Sequence, residues 1–205
     1  MKICLEQISK RFQRHWIFRD ITFSFTTPGS FALLGANGSG KSTLLRIIAG
    51  MQSASAGKIT YFNNDKPVLI NDVFNHISFC APSQEIVEEL TLREFLDFHF
   101  SFKPLLPGIS INDIITICRL TDAADKPIGD YSSGMKQRVK LAQAIFSNTP
   151  ILLLDEPCTN LDQQGVEQYR DWIEQFGKNR LIIVASNDVR EYYFCRERIE
   201  LEKYK

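Results

Sequence analysis

Gly35-Ala36-Asn37-Gly38-Ser39-Gly40-Lys41-Ser42-Thr43 is the stretch on which the fold turns. The apolar run Phe31-Ala32-Leu33-Leu34 before it reads as a buried strand, and Leu44-Leu45-Arg46-Ile47-Ile48-Ala49 after it reads as a helix ending near Gly50. Strand, glycine-rich loop and helix, in that order, are the context a phosphate-binding loop requires. Glycines at 35, 38 and 40 allow a sharp turn and let the backbone approach an anion without a side-chain clash. The loop N–H groups and the helix N-terminus then turn partial positive charge toward the phosphates. Lys41 adds a full charge near the β- and γ-phosphates, and the Ser42 hydroxyl is placed to ligate Mg²⁺. A plain glycine-rich turn is the bland alternative; Lys-Ser in register between these flanks argues against it.

The second signal lies far along the chain, at Ile151-Leu152-Leu153-Leu154-Asp155-Glu156. An apolar strand delivers two carboxylates at its C-terminal end, the edge at which open α/β sheets bind ligands. Asp155 is suited to hold Mg²⁺, directly or through water, and Glu156 to polarise a water attacking a γ-phosphate. Alone, such a pair is as often an acidic turn. Beside a phosphate loop the chemical role is the better account.

Composition sets the outer bounds. The chain has 205 residues, with 44% apolar and 23% charged, an ordinary globular balance. Lys plus Arg equals Asp plus Glu at 24 each, so net charge gives no sign of nucleic-acid or membrane-surface binding. No apolar run approaches the roughly 18–20 residues that span a bilayer, and Met1-Lys2-Ile3-Cys4-Leu5-Glu6 does not resemble a secretion signal. The cysteines at 4, 80, 118, 158 and 195 are odd in number and form no Cys-x-x-Cys pair, as expected of reduced thiols in a cytosolic protein. His15, His76 and His99 are scattered and are expected to be structural.

Continuous leucine and β-branched runs at 31–34, 151–154 and 181–185, separated by helical stretches, predict a parallel sheet covered on both faces. Residues 3–8 and 17–25 are expected as strands of an antiparallel part; Phe18, Ile21, Phe23 and Phe25 partly alternate with polar residues. Further strands are expected at 58–62, 76–80 and 197–202. Between them, 91–128 changes to helical spacing. Thr91 with Glu94 makes a capping-box pattern ahead of Phe95, Leu96, Phe98 and Phe102, and Ser110 starts a second helix. Ser132–Phe146 reads as a third helix with Met135, Val139, Ala142 and Ile145 inward, and Lys136, Arg138 and Lys140 as a solvated face. A helix over 163–176 follows. The fold class is therefore α/β: a phosphate-loop NTPase with a mainly parallel core sheet, an antiparallel β subdomain and a helical insertion at approximately 85–145, within a single domain over 1–205.

Gly35–Thr43, Ile151–Pro157 and Tyr131-Ser132-Ser133-Gly134-Met135 resemble the Walker A, Walker B and signature motifs of ABC-type ATPases, the nucleotide-binding subunits of ABC transporters. Order and spacing fit over nearly the whole chain. The resemblance implies ATP and Mg²⁺ as ligands, with Gly35, Ala36, Asn37, Gly38, Ser39, Gly40, Lys41, Ser42 and Thr43 around the phosphates. It implies Ser42, Gln84 and Asp155 at the metal and Glu156 as the base. In this family the signature of one subunit caps the γ-phosphate held by a second, which assigns Ser132, Ser133 and Gly134 to a dimer interface. Ser132 is equally a helix N-cap. Asp162, in Asn160-Leu161-Asp162, resembles the D-loop aspartate and is also a plausible cap for the helix from 163. Phe12 occupies the place of the aromatic that stacks on adenine, with Trp16 a competitor and a core role for Phe12 still open.

Two departures carry information. Ser133 and Met135 replace the usual Gly and Gln of the signature, a variant resembling the exporter branch with small membrane subunits. Asn187, in Val184-Ala185-Ser186-Asn187-Asp188, stands where the family has its switch histidine. Asparagine still donates a hydrogen bond to a γ-phosphate but carries no charge and relays no proton. The expectation is an ATP-hydrolysing subunit that pairs with a second ABC ATPase subunit, identical or different, and drives a separate integral membrane permease from the cytoplasmic side, with no nucleic acid involved. A weakly hydrolysing clamp in an asymmetric pair, or a non-transport ABC protein, are the competing readings.

Overall fold

The computed structural model describes residues 1–205. The three apolar runs pair in parallel. β3 (Gly29–Leu34) lies beside β8 (Leu181–Ala185), with Phe31 opposite Ile183 and Leu33 opposite Ala185. β8 lies in turn beside β7 (Ile151–Asp155), with Asp155 opposite Ala185. β6 (Ile77–Cys80) and β9 (Glu197–Glu200) complete a five-stranded sheet in the order β6-β7-β8-β3-β9. Ile151, Leu153, Leu181 and Ile183 share one core with Leu44, Leu45, Ile47 and Ile48 of α1 (Lys41–Ile48). Leu152, Leu154, Ile182 and Val184, on the opposite face, are buried too. A strand buried on both sides needs no polar alternation, which is why these runs read as unbroken hydrophobe.

The antiparallel sheet comprises β1 (Lys2–Phe12), β2 (His15–Thr26), β4 (Ala56–Asn63) and β5 (Lys66–Val68), in the order β2-β1-β4-β5. Ile3, Leu5, Ile8, Phe18, Ile21 and Phe25 turn into the same core as the parallel sheet. The β1–β2 ladder slips register after Leu5, Ile8 and Lys10. Such irregularities carry the chain past a strict period of two, so both strands run beyond the spans their alternation predicts. The expected strand over 197–202 is corrected: β9 stops at Glu200 and Leu201–Tyr204 closes into a 3-10 turn that buries Leu201. Two short elements, β5 and α6 (Val189–Tyr192), were not predicted.

The chain divides into two compact units. One is Met1–Phe79 with Pro150–Glu156 and Asn179–Lys205, and holds the elements above apart from the end of β6; the other is Cys80–Thr149 with Pro157–Lys178. In the second unit, α2 (Leu92–Phe102) and α3 (Ile111–Ile117) each open on a complete capping box, Thr91 with Glu94 and Ser110 with Asp113. α4 (Ser133–Ile145) and α5 (Gln163–Phe176) pack through Phe146, whose ring lies 5.6 Å from Trp172 and 5.0 Å from Phe176. His99 is structural, as expected. Its Nε2 meets the Ser147 hydroxyl at 3.1 Å, and burial pushes its pKa down to about 4.

One expectation about a helix face, that of the basic row on α4, is corrected. In α2, Leu92, Phe95 and Leu96 are buried, but Phe98 and Phe102 are 54% and 72% exposed and meet edge-on at 5.2 Å. They lie three and seven residues beyond Phe95, along the edge of the same stripe, toward the C-terminal end of the helix where the fold no longer covers it. In α4, the basic row is not a free solvated face. Lys136 pairs with Glu88 at 2.7 Å, Arg138 with Asp162 at 3.3 Å, and Lys140 donates to the Pro82 carbonyl at 2.8 Å. Gln137 between them is buried and donates to the Pro157 carbonyl at 2.7 Å. All five cysteines are free thiols. Cys80, Cys118, Cys158 and Cys195 are buried and Cys4 is half-buried; burial raises the pKa of Cys118 and pushes Cys195 up to about 12.

Thr91→Ala removes the acceptor that holds the Glu94 N–H at the start of α2. It is expected to lower stability by about 1 kcal/mol, read as a reduced urea midpoint at unchanged slope.

Candidate functional site

The glycine-rich loop spans the end of β3 and the first turn of α1. Gly40 caps α1 in a left-handed conformation at φ 102°. A Cβ there would fall 2.5 Å from Ile17 Cγ2, so only glycine lets the loop pass this close to β2. The Lys41 ammonium folds back on the loop, donating to the Gly35 carbonyl at 2.6 Å and the Ala36 carbonyl at 3.3 Å. Ser39 N–H closes the turn on the Ala36 carbonyl, and the Ser39 side chain is buried.

The tip of β7 comes up against the first turn of α1. The Ser42 hydroxyl donates to Asp155 Oδ1 at 2.9 Å, joining residues 113 positions apart. Asp155 is buried at the tip of β7. Burial holds its pKa above the ordinary carboxylate range, partly offset by the Ser42 hydrogen bond and by Arg46 and Lys41, while Glu156 adds to the rise. Glu156 is exposed, at φ 42°, with its N–H held by the Ala185 carbonyl at 2.9 Å. A non-glycine residue in this left-handed region is uncommon and marks a position whose conformation the surroundings impose.

These residues border a cavity of about 320 Å³, within the size range of small-ligand sites. Asn37, Gly38, Gly40, Lys41, Ser42 and Thr43 line it with Glu156, and Phe12 and Ile17 join them from β1 and β2. Phe12 is 48% exposed, so it is not a core residue, and the Lys10 ammonium lies 5.1 Å from its ring centroid. Trp16 is not among the lining residues; its ring is covered by Arg11 at 5.6 Å. Asn187 reaches the same loop, its Nδ2 donating to Asn37 Oδ1 at 3.3 Å. Ile17 was missed in the sequence, where it read only as a strand residue. Among His, Cys, Asp and Glu there is no group of three or more that would hold a metal ion. The oxygen pair Ser42 and Asp155, with a buried carboxylate, suits a hard cation that takes its remaining ligands from phosphates and water.

The second unit carries the remaining predicted residues. Ser132, Ser133 and Gly134 line a cavity of about 360 Å³ together with Asn160 and Asp162. Ser132 caps α4, its Oγ accepting from the Met135 N–H at 3.3 Å. Asp162 caps α5, accepting from the Gly165 N–H at 2.8 Å and from Arg138. A Cβ on Gly134 would lie 3.0 Å from the Asn160 carbonyl. Gln84 keeps a buried side-chain oxygen without a hydrogen-bond partner, while its N–H donates to the Ala81 carbonyl.

A family model described as ABC transporter matches residues 18–159. The chain is 34% identical over 188 residues to a sulfate/thiosulfate import ATP-binding protein of Photorhabdus laumondii, covering 85% of this chain and 50% of that protein. It is 34% identical over 163 residues to a Nod factor export ATP-binding protein of Rhizobium johnstonii, covering 78% of this chain and 52% of that one. The chain thus spans about half the length of these curated relatives. A dimeric ATP-binding cassette solved in a post-hydrolysis state with ADP and Pi superposes with a TM-score of 0.82 at 20% identity, over 97% of this chain and 93% of that one.

The raised pKa of Asp155 means the folded protein holds that proton more tightly than the unfolded chain. Its contribution favours folding below the ordinary carboxylate range and is lost as pH rises through the folded value, so the charged group opposes folding at neutral pH. Asp155→Asn is expected to raise the melting temperature of the nucleotide-free protein at pH 7.5. The gain should shrink as pH falls through the carboxylate range, followed by scanning fluorimetry.

Proposed function

This chain belongs to the ABC transporter family, and from that premise we propose that it is an ATP-binding, ATP-hydrolysing subunit that pairs head to tail with a second such subunit and powers a separate membrane permease. The single observation that carries this is the Ser42–Asp155 hydrogen bond beside Lys41 and Glu156. It supports a site where a triphosphate, a metal and an attacking water are managed together. Loop amides and Lys41 would bind the phosphates, and Phe12 would stack on the base through its exposed face. Ser42 and Asp155 would hold Mg²⁺, whose charge neutralises the phosphate oxygens when bound. Glu156 would take a proton from the attacking water. Gln84, with its unpaired oxygen, is proposed as the Q-loop glutamine.

The second subunit would be met through Ser132, Ser133, Gly134 and Asp162, whose cavity on the surface of the second unit supports the assignment. Ser132 Oγ accepts from Met135 and so keeps its own proton to donate to a phosphate oxygen. The signature variant supports an exporter. Relatives of equal identity divide between import and export, so transport by the partnered protein is the direct test of direction. No helix of the chain is long and apolar enough to cross a membrane; in this reading the permease is a separate chain and the subunit attaches at its cytoplasmic face.

Asn187 favours a second reading, a slow clamp whose partner subunit supplies stronger catalysis. Its amide reaches the loop through Asn37 and brings no charge. Two substitutions separate the roles. Glu156→Gln is expected to retain ATP binding and lose roughly 10²-fold or more of steady-state turnover; undiminished hydrolysis would sink Glu156 as the base. Asn187→His is expected to accelerate hydrolysis in the presence of the partner, and no gain in rate would leave the missing charge without consequence.

A further inference from the structure

Glu202 lies in the 3-10 turn after β9, 166 residues from the phosphate loop in sequence, yet its Oε1 accepts the Ala36 N–H at 2.5 Å. The other end of the same peptide group, the Gly35 carbonyl, accepts from the Lys41 ammonium at 2.6 Å. One loop peptide is therefore held at both ends, by a carboxylate on its N–H and by a cation on its oxygen. Charge at both ends reinforces the peptide dipole, and charge-assisted bonds are the stronger kind. The approach depends on Gly35: a Cβ there would stand 3.0 Å from Glu202 Oε2 and 2.5 Å from Ser39 Oγ, at a φ of 149°. The turn that presents Glu202 is itself anchored, since Leu201 is fully buried in the core shared by both sheets. Glu202 is exposed, so it does not serve the core directly. Its carboxyl is held below the ordinary range, first by the Ala36 amide and in smaller part by Lys205 and Lys41.

We propose that Glu202 is a positioning residue of the nucleotide site: by fixing the Gly35–Ala36 peptide it keeps the Gly35 carbonyl turned to Lys41 and so holds the ammonium in place for the phosphates. The proposal rests on the ATP-binding role above. Glu202 contacts the loop through the Ala36 N–H and acts through that peptide, so it sets affinity and not the chemical step. A fluorescent ATP analogue titrated into the purified full chain, together with steady-state kinetics and melting curves, tests it. Glu202→Ala is expected to weaken binding and raise KM by roughly 3- to 10-fold, the weight of one hydrogen bond, with kcat within about twofold. Glu202→Gln keeps an acceptor oxygen and is expected to recover affinity to within about twofold of the native protein. Native affinity in Glu202→Ala overturns the proposal, as does an equal loss in Glu202→Gln or a loss that tracks a lowered melting temperature. A native chain that binds no nucleotide would instead bring down the ATP-binding role, and this proposal with it.

Discussion

The hydrogen bond from Ser42 to Asp155 is the constraint on which the site depends. It requires the first turn of α1 and the tip of β7 to lie at the same sheet edge. That requires β8 between β7 and β3, and all three strands parallel. Parallel strands in turn need covered faces, and the continuous leucine and isoleucine runs supply the burial. The chemistry at the edge and the hydrophobicity of the sheet are thus one requirement seen from two ends.

The buried carboxylate at that edge is held at a cost to the fold. Desolvation raises its pKa, and the nearby cations and the serine hydroxyl only partly relieve it. Glu156, one residue on, sits in a backbone region that L-residues seldom adopt. Neither feature stabilises the fold itself. Both are understandable where a cation and a triphosphate complete the charge balance, and sites of this kind commonly carry local strain that the surrounding structure supports.

Much of this was legible in the sequence because the signals were local. The glycine loop with its Lys-Ser, the apolar strand ending in Asp155-Glu156, and the capping boxes at Thr91 and Ser110 each lie within a few residues. What escaped was the long-range pairing of polar side chains. Lys136, Arg138 and Lys140 look like a wet helix face until Glu88, Asp162 and the Pro82 carbonyl come up against them. Ile17 gave no hint of a site, since a branched residue in a strand is ordinary. Glu202 was invisible because the turn that carries it reads as a continuation of β9, and an exposed glutamate has no periodicity. Phe98 and Phe102 show the converse: apolar spacing along a helix shows that a face exists, but not that the fold covers it.

The arrangement of the thiols has a practical side. Four of the five are shielded inside the fold, and burial keeps Cys118 and Cys195 in the protonated form that reacts slowly. Only Cys4, in β1 with the Ser24 hydroxyl 3.6 Å away, is open to reagents. A chemist approaching the native protein therefore meets one handle, not five. A spin label or fluorophore attached there reports on the antiparallel sheet without any engineered background.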